Sequence, residues 1–188
     1  MGDFFEDIKI YTKKNYIIVE HTESHCDNKV DAILGFEITP RVRYIYEHYE
    51  EFSLCWFDKM DNYIGEIHFV PFIDLIDGHN ELIGIMEDVY DVELDEYSIK
   101  QDILHWYPLF KFKNGDAFCL DIRNGKVVYY EHEVFDTGKN IHGLVIAKTI
   151  SDLFEKWSLL HFSNIYYWDE IVDDDGISLT SELAQRYL

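Results

Sequence analysis

An α+β domain, with a mainly antiparallel sheet and flanking helices, is what this sequence predicts. Three features carry that expectation. Two Asn-Gly dipeptides, Asn114-Gly115 and Asn124-Gly125, separate apolar runs between Tyr107 and Phe135, and Asn-Gly between such runs is the strongest short-range hairpin signal because both turn positions need positive φ. Aromatic and β-branched runs at Phe52–Phe57 and Tyr63–Ile73, parted by the polar Asp58–Asn62, have the texture of a second hairpin. Amphipathic stretches with start signals supply the helices.

The elements follow in chain order. Ser24 to Leu34, closed by Gly35 after Val30, Ile33 and Leu34, is expected to form a short helix with a glycine C-terminus. Thr39-Pro40 supplies an N-cap and a proline at the first helical position, and Val42, Ile45, Tyr46 and Tyr49 repeat at helical spacing behind it. Asp77-Gly78-His79-Asn80 breaks the pattern after the hairpin. A further helix is then expected around Leu82, Ile85, Met86 and Val89. The meander comes next: Pro108–Phe112, Ala117–Ile122 and Val127–Phe135. Thr149-Ile150-Ser151-Asp152 opens the last long helix, with Ile150, Leu153, Phe154, Trp157 and Leu160 on one face and an end near His161. Beyond it lie the aromatic Ile165–Trp168, the run Asp173-Asp174-Asp175-Gly176 and a short helix start at Thr180-Ser181-Glu182. No low-complexity linker interrupts the chain, so a single domain over 1–188 is expected.

Length and composition agree. The 188 residues suit one core, and 47% hydrophobic with 16% aromatic residues is far too apolar for a disordered acidic chain. Against that interior stands a formal net charge of −21, from 37 Asp and Glu against 16 Lys and Arg. This balance disfavours nucleic acid and anionic membrane as partners and suits a basic protein, although acidity can also serve solubility alone. Placement matters more than the total. From Met60 to Ile99 there is no Lys or Arg, while eleven carboxylates occur there. The densest part, Glu87, Asp88, Asp91, Glu93, Asp95 and Glu96, is interleaved with Met86, Tyr90 and Tyr97. Carboxylates beside aromatic anchors could steer and hold a basic partner, and we take Glu87, Asp88, Tyr90, Asp91, Glu93, Asp95, Glu96 and Tyr97 as the candidate partner-binding residues. The same pattern also fits a solvated helix face and loop.

The chemistry-bearing residues form no recognisable catalytic or metal signature. Cys26, Cys55 and Cys119 are odd in number and lack a CxxC pair, so reduced, largely buried thiols and a cytoplasmic setting are expected. The N-terminal Met-Gly-Asp-Phe-Phe-Glu-Asp lacks a basic start and a long apolar run, unlike a signal peptide, and no segment is apolar enough to span a bilayer. His21, His25 and Cys26 cluster without a second ligand pair, which argues against zinc. The Asp173–Gly176 run fails as a calcium loop because Ile171 would fill its first ligand position, leaving a solvated acidic turn. Glu131, Glu133 and Asp136 beside His132 carry little information in so acidic a chain. No cofactor is expected.

The order of these pieces resembles the SUKH superfamily, which contains a yeast cell-wall-synthesis regulator and many bacterial immunity proteins. The resemblance runs from about Lys29 to Phe162. It rests on Leu34-Gly35 before Ile38-Thr39-Pro40, on Gly65-Glu66-Ile67, on Tyr107-Pro108-Leu109-Phe110, and on Asp116–Asp121 followed by Gly125–His132. Ile146–Phe154 is similar to the closing strand-to-helix signature. Thr39 replaces the family's usual Leu, the stretch from Gly78 to Trp106 is long and acidic, and the tail after Phe162 is extra. The resemblance implies a sheet carrying helices, no conserved catalytic residues, and a cytoplasmic immunity protein that binds a cognate toxin, often a nuclease. A regulatory or scaffolding module, and more remotely a hydrolase or metal-dependent enzyme, remain the alternatives.

Overall fold

The computed structural model describes residues 2–89, 102–132 and 141–188. It is an α+β fold. The first helix, α1 (Phe4–Asn15), starts at Asp3, whose side chain accepts the Phe5 amide, and carries Glu6 and Asp7 early and Lys13 and Lys14 late, matching the helix dipole. It leads into β1 (Ile17–His25). A two-residue hairpin follows, β2 (Ala32–Ile33) and β3 (Phe36–Glu37), and then α2 (Pro40–His48), β4 (Tyr49–Phe57) and β5 (Tyr63–Phe69).

A 3₁₀ turn at Phe72–Asp74 feeds α3 (Leu75–Val89). The meander is β6 (Trp106–Lys111), β7 (Ala117–Asp121) and β8 (Val127–Tyr130). It is followed by β9 (Val145–Ala147), α4 (Ile150–Leu159), β10 (Val172–Asp173) and β11 (Gly176–Ile177). Among the described residues nine strands form one antiparallel sheet in the order β1-β4-β5-β6-β7-β8-β9-β11-β10. Two of its seams are narrow: β9 to β11, where Gly176 pairs with Ala147, and β5 to β6, where Phe69 pairs with Phe110 and the Val70 amide reaches Leu109 O at 3.0 Å.

One sheet face meets α1, α2, α4 and the tail. Its core draws on both ends of the chain. Phe4, Phe5 and Ile8 come from α1, while Ile165, Trp168, Ile171, Ile177 and Ala184 come from beyond α4, all buried in the same cluster. Phe5 stacks on Phe52 at 4.0 Å, and Phe4 lies 5.5 Å from Phe154. The opposite face is covered by α3, under which Leu82, Ile103, Trp106, Ala117, Cys119, Val128 and Tyr130 make a smaller core.

Several expectations change. Residues 24–34 are not a helix. Ser24 and His25 finish β1, the Cys26 and Asn28 amides bond to the carbonyls of His48 and Glu47 at 3.0 and 2.9 Å, and Leu34-Gly35 turn the β2–β3 hairpin with φ of +49° and +91°. A glycine at positive φ serves a tight hairpin turn as well as a helix end, and here it serves the turn. The second strand of the first hairpin stops at Phe69 rather than Ile73, because Pro71 lacks an N–H and starts the 3₁₀ turn.

The supposed break at Asp77–Asn80 lies inside α3, which begins at Leu75. Gly78 is there for proximity, since a Cβ would sit 2.8 Å from Pro108 Cγ. Gly78→Leu is accordingly expected to lift α3 off β6 and lower stability by about 1–3 kcal/mol, read as a lower urea midpoint.

The last strand of the meander ends at Tyr130 rather than Phe135, with Glu131 and His132 outside it and 133–135 outside the described residues, while the remaining expected elements form near their expected places. In α2, Pro40 takes the first turn while Thr39 makes no side-chain cap bond, whereas Thr149 Oγ1 caps α4 by accepting the Asp152 amide at 3.0 Å. At the end of the chain the expected helix start gives only a 3₁₀ turn, Ala184–Arg186.

Candidate functional site

Helix α3 positions the described part of the acidic stretch. Its inner side is fixed by Leu75, Gly78, His79 and Leu82. The His79 ring meets Trp106 O through Nδ1 at 2.7 Å and stacks on Tyr107 at 4.2 Å. With that side locked, the opposite side must face solvent. The outer surface and the 3₁₀ turn before it carry Ile76, Phe72 and Ile73 at 60%, 38% and 56% exposure, while Ile85, 38% exposed, lies half a turn round the helix from Ile76. Asp74, Asp77, Glu81 and Glu87 are exposed as well. Between the helix start and the ends of β5 and β6 lies a groove of about 310 Å³, lined by His68, Pro71, Asp74, Asp77, Glu81 and Lys111 among others. Lys111 Nζ pairs with the Glu81 carboxylate across it.

Of the residues expected to bind a partner, Glu87 is exposed near the end of α3 and Asp88 follows it in the same helix. Tyr90, Asp91, Glu93, Asp95, Glu96 and Tyr97 lie outside the described residues. Asp74, Asp77 and Glu81 join the face instead, and the sequence reading set them apart from it by breaking the helix at Asp77–Asn80. Their spacing of three and four residues was the available signal.

Sequence reasoning also missed two polar networks built across strands. In the first, Ser53 on β4 faces His68 on β5, with Oγ to Nδ1 at 2.9 Å. His68 Nε2 approaches Glu66 Oε2 at 3.3 Å, and Ser53 Oγ donates to Glu20 Oε1 at 3.2 Å. Glu66, only 2% exposed, also accepts the Lys113 amide at 2.9 Å and Asn164 Nδ2 at 3.5 Å. A serine, histidine and carboxylate in series can suggest acyl transfer. Here Ser53 is 8% exposed in mid-strand, flanked by Thr22 on β1 and His68 on β5. Ladder pairing occupies the backbone donors that a developing oxyanion would need, so the geometry favours a structural role.

In the second network Asp116, 6% exposed, gathers the His132 amide at 3.0 Å and His132 Nδ1 at 2.8 Å on Oδ1, with the Tyr129 hydroxyl and Asn114 Nδ2 on Oδ2. It closes one wall of a polar cavity of about 160 Å³ that also includes Glu131, Asn164 and Tyr166. His132 therefore takes its carboxylate partner from Asp116, a residue the acidic trio around it had obscured. Glu133 and Asp136 lie outside the described residues.

No family model, curated protein or solved structure matches this chain. The reading of the site rests on its own residues. His21 and His25 both turn to Glu23, with Nε2 to carboxylate distances of 3.1 and 2.8 Å, whereas Cys26 Sγ goes to Glu47 O. Among the described residues no group of three or more His, Cys, Asp or Glu could hold a metal ion. The Asp173–Gly176 run forms the turn between β10 and β11, where the Asp175 amide bonds Asp173 Oδ1 at 2.8 Å and Lys148 pairs with Asp175. All three cysteines are free thiols, and burial pushes each of them up from its ordinary pKa. Thiolate nucleophiles are thereby disfavoured. No helix among the described residues is long and apolar enough to cross a membrane.

Burial alone would push the Glu66 carboxyl up, yet its hydrogen bonds to His68 and the Lys113 amide outweigh burial and hold it below the usual glutamate range. A carboxyl lowered in the folded state contributes stability above its unfolded pKa and loses it as pH falls through the folded one. Stability is therefore expected to decline below about pH 5 through this group. Glu66→Gln should flatten that acid limb while lowering stability at neutral pH, as measured by urea unfolding across the acid range.

Proposed function

We propose that this chain is a non-enzymatic protein-binding domain, an immunity-type inhibitor that neutralises a cognate basic toxin of the nuclease class in the cytoplasm. The observation that carries the reading is charge placement. A chain of net charge −21 keeps Lys and Arg out of Met60–Ile99 altogether, and the described part of that stretch exposes Asp74 in the 3₁₀ turn and Asp77, Glu81 and Glu87 along α3 to solvent. Carboxylates so arranged can stand in for the phosphates that a nuclease cleft accepts, while Tyr90 and Tyr97 supply aromatic anchors. The SUKH-like order of the elements supports the same assignment, and the free thiols suit a reducing compartment.

The test is co-expression with the product of a neighbouring toxin gene, followed by association kinetics on the purified pair. The wild type is expected to rescue growth. Reversing Glu87, Asp88, Asp91 and Glu93 to Lys should slow association by on the order of 10- to 1,000-fold at low salt and remove most of its salt dependence. An unchanged rate would overturn the acidic-face assignment. Stable binding without rescue would point to a scaffolding module.

A further inference from the structure

The apolar side chains on the outside of α3 are not explained by electrostatic steering. Ile73 and Ile76 are 56% and 60% exposed, and Phe72 completes a patch within one helical turn of them. Beside the patch runs the groove walled by Asp74, Asp77 and Glu81, where Lys111 of this same chain already places an ammonium group against Glu81. We infer that this face is the anchoring surface for a basic amphipathic segment of the partner, whose apolar side chains cover Phe72, Ile73 and Ile76 while its Lys or Arg side chains enter the carboxylate-lined groove. The inference rests on the inhibitor reading above and extends it to a region upstream of Glu87.

Charge selects the occupant. A second copy of this chain, docked through the same patch about a two-fold axis, would bring Asp74, Asp77 and Glu81 close to their own counterparts, an arrangement that like-charge repulsion opposes. An anionic bilayer is repelled by the same carboxylates. A cationic segment with apolar side chains satisfies both parts of the surface, with the isoleucines giving affinity and the carboxylates giving orientation.

The experiment uses the full chain and the double variant Ile73→Ser, Ile76→Ser, which removes apolar surface at exposed positions and leaves charge unaltered. Probes are a synthetic helical peptide of Leu-Lys-Lys-Leu repeats and poly-lysine of matching length. The Leu-Lys peptide is expected to bind the wild type, protect α3 from hydrogen exchange, and lose on the order of 30-fold in affinity on the variant. Poly-lysine should bind both proteins weakly and equally. Equal affinity of the Leu-Lys peptide for the two proteins would overturn the inference, and so would self-association of the wild type that the variant abolishes. Growth rescue separates the two claims. If the variant loses the peptide yet still neutralises the toxin, the anchoring surface is wrong and the inhibitor reading stands. If the peptide result holds but the wild type neutralises no neighbouring toxin, the inhibitor reading fails alone.

Discussion

Trp157→Ala is expected to be the most damaging single change in this chain, costing about 4–5 kcal/mol. Trp157 is fully buried on α4 and meets Phe110, Phe118 and Phe162 at ring distances of 5.1, 5.0 and 5.0 Å, so its loss empties the point where α4, the meander and the tail converge. Its indole N–H donates to Ser163 O at 2.9 Å. Alanine therefore leaves both a cavity and an unpaired carbonyl. For a chain of this length the melting temperature should fall by roughly 10–20 °C, with the urea midpoint dropping while the slope is kept. Trp157→Phe keeps most of the apolar volume but not the donor, and should cost about 1–3 kcal/mol. If alanine and phenylalanine proved equally harmful, the indole hydrogen bond rather than packing would be the dominant contribution.

Asp116→Ala should come close to it, at about 3–5 kcal/mol. The mechanism differs. No large cavity opens, but the His132 backbone and ring donors, the Tyr129 hydroxyl and Asn114 Nδ2 all lose the carboxylate on which they converge. The cost falls mainly on the buried Tyr129 hydroxyl, because leaving a buried donor without its acceptor costs more than the net gain of making the bond. Burial first, and then the neighbouring Asp116 carboxylate, raise the Tyr129 phenol above its ordinary pKa. The loss of stability is expected to appear as a lower urea midpoint with the slope kept. Asp116→Asn retains the shape and should lose less than alanine.

What was legible in the sequence was local. Both Asn-Gly turns form, but only Gly115 and Gly125 take positive φ, at +94° and +77°, while Asn114 and Asn124 do not, because the loops are longer than two residues and close through Gly115 N to Phe112 O and Gly125 N to Asp121 O. The start of α4 was legible because Thr149 and the Asp152 amide it accepts are three residues apart. What misled was local pattern whose meaning is set from far away. Gly78 resembles a breaker until Pro108, thirty residues on, occupies the space a side chain would need. Gly35 fits a helix end or a hairpin turn equally well.

The beginning of the chain gave usable signals that went unread, in Asp3, Glu6, Asp7, Lys13 and Lys14. β1 offered fewer, because as an edge strand it buries neither face cleanly. The polar networks were out of reach altogether. Ser53 meets His68, and Asp116 meets His132, only once the strands are set in register, and nothing in residue spacing gives register between separate strands. The candidate face was half legible. Charge segregation pointed to the Met60–Ile99 stretch, but which carboxylates share a helix side with exposed isoleucines depended on where α3 begins.

The shared core of the two chain ends bears on how the protein is made. A nascent chain that had emerged only through α3 would possess α1 and the β1-β4-β5 ribbon, with Phe69 still lacking Phe110 across the seam and Phe4 lacking Phe154 and Phe162. Its aromatic surface would stay wet until Trp168, Ile171 and Ile177 had also left the ribosome. The first helix can meet β1, α2 and β4 early, but its Phe4 face is covered only when Phe154 and Phe162 arrive, and long-range closure of this kind slows folding. Pausing or premature termination before Phe154 would leave Phe4 without its ring partners and exposed as a substrate for chaperones, while Phe5 can still stack on Phe52.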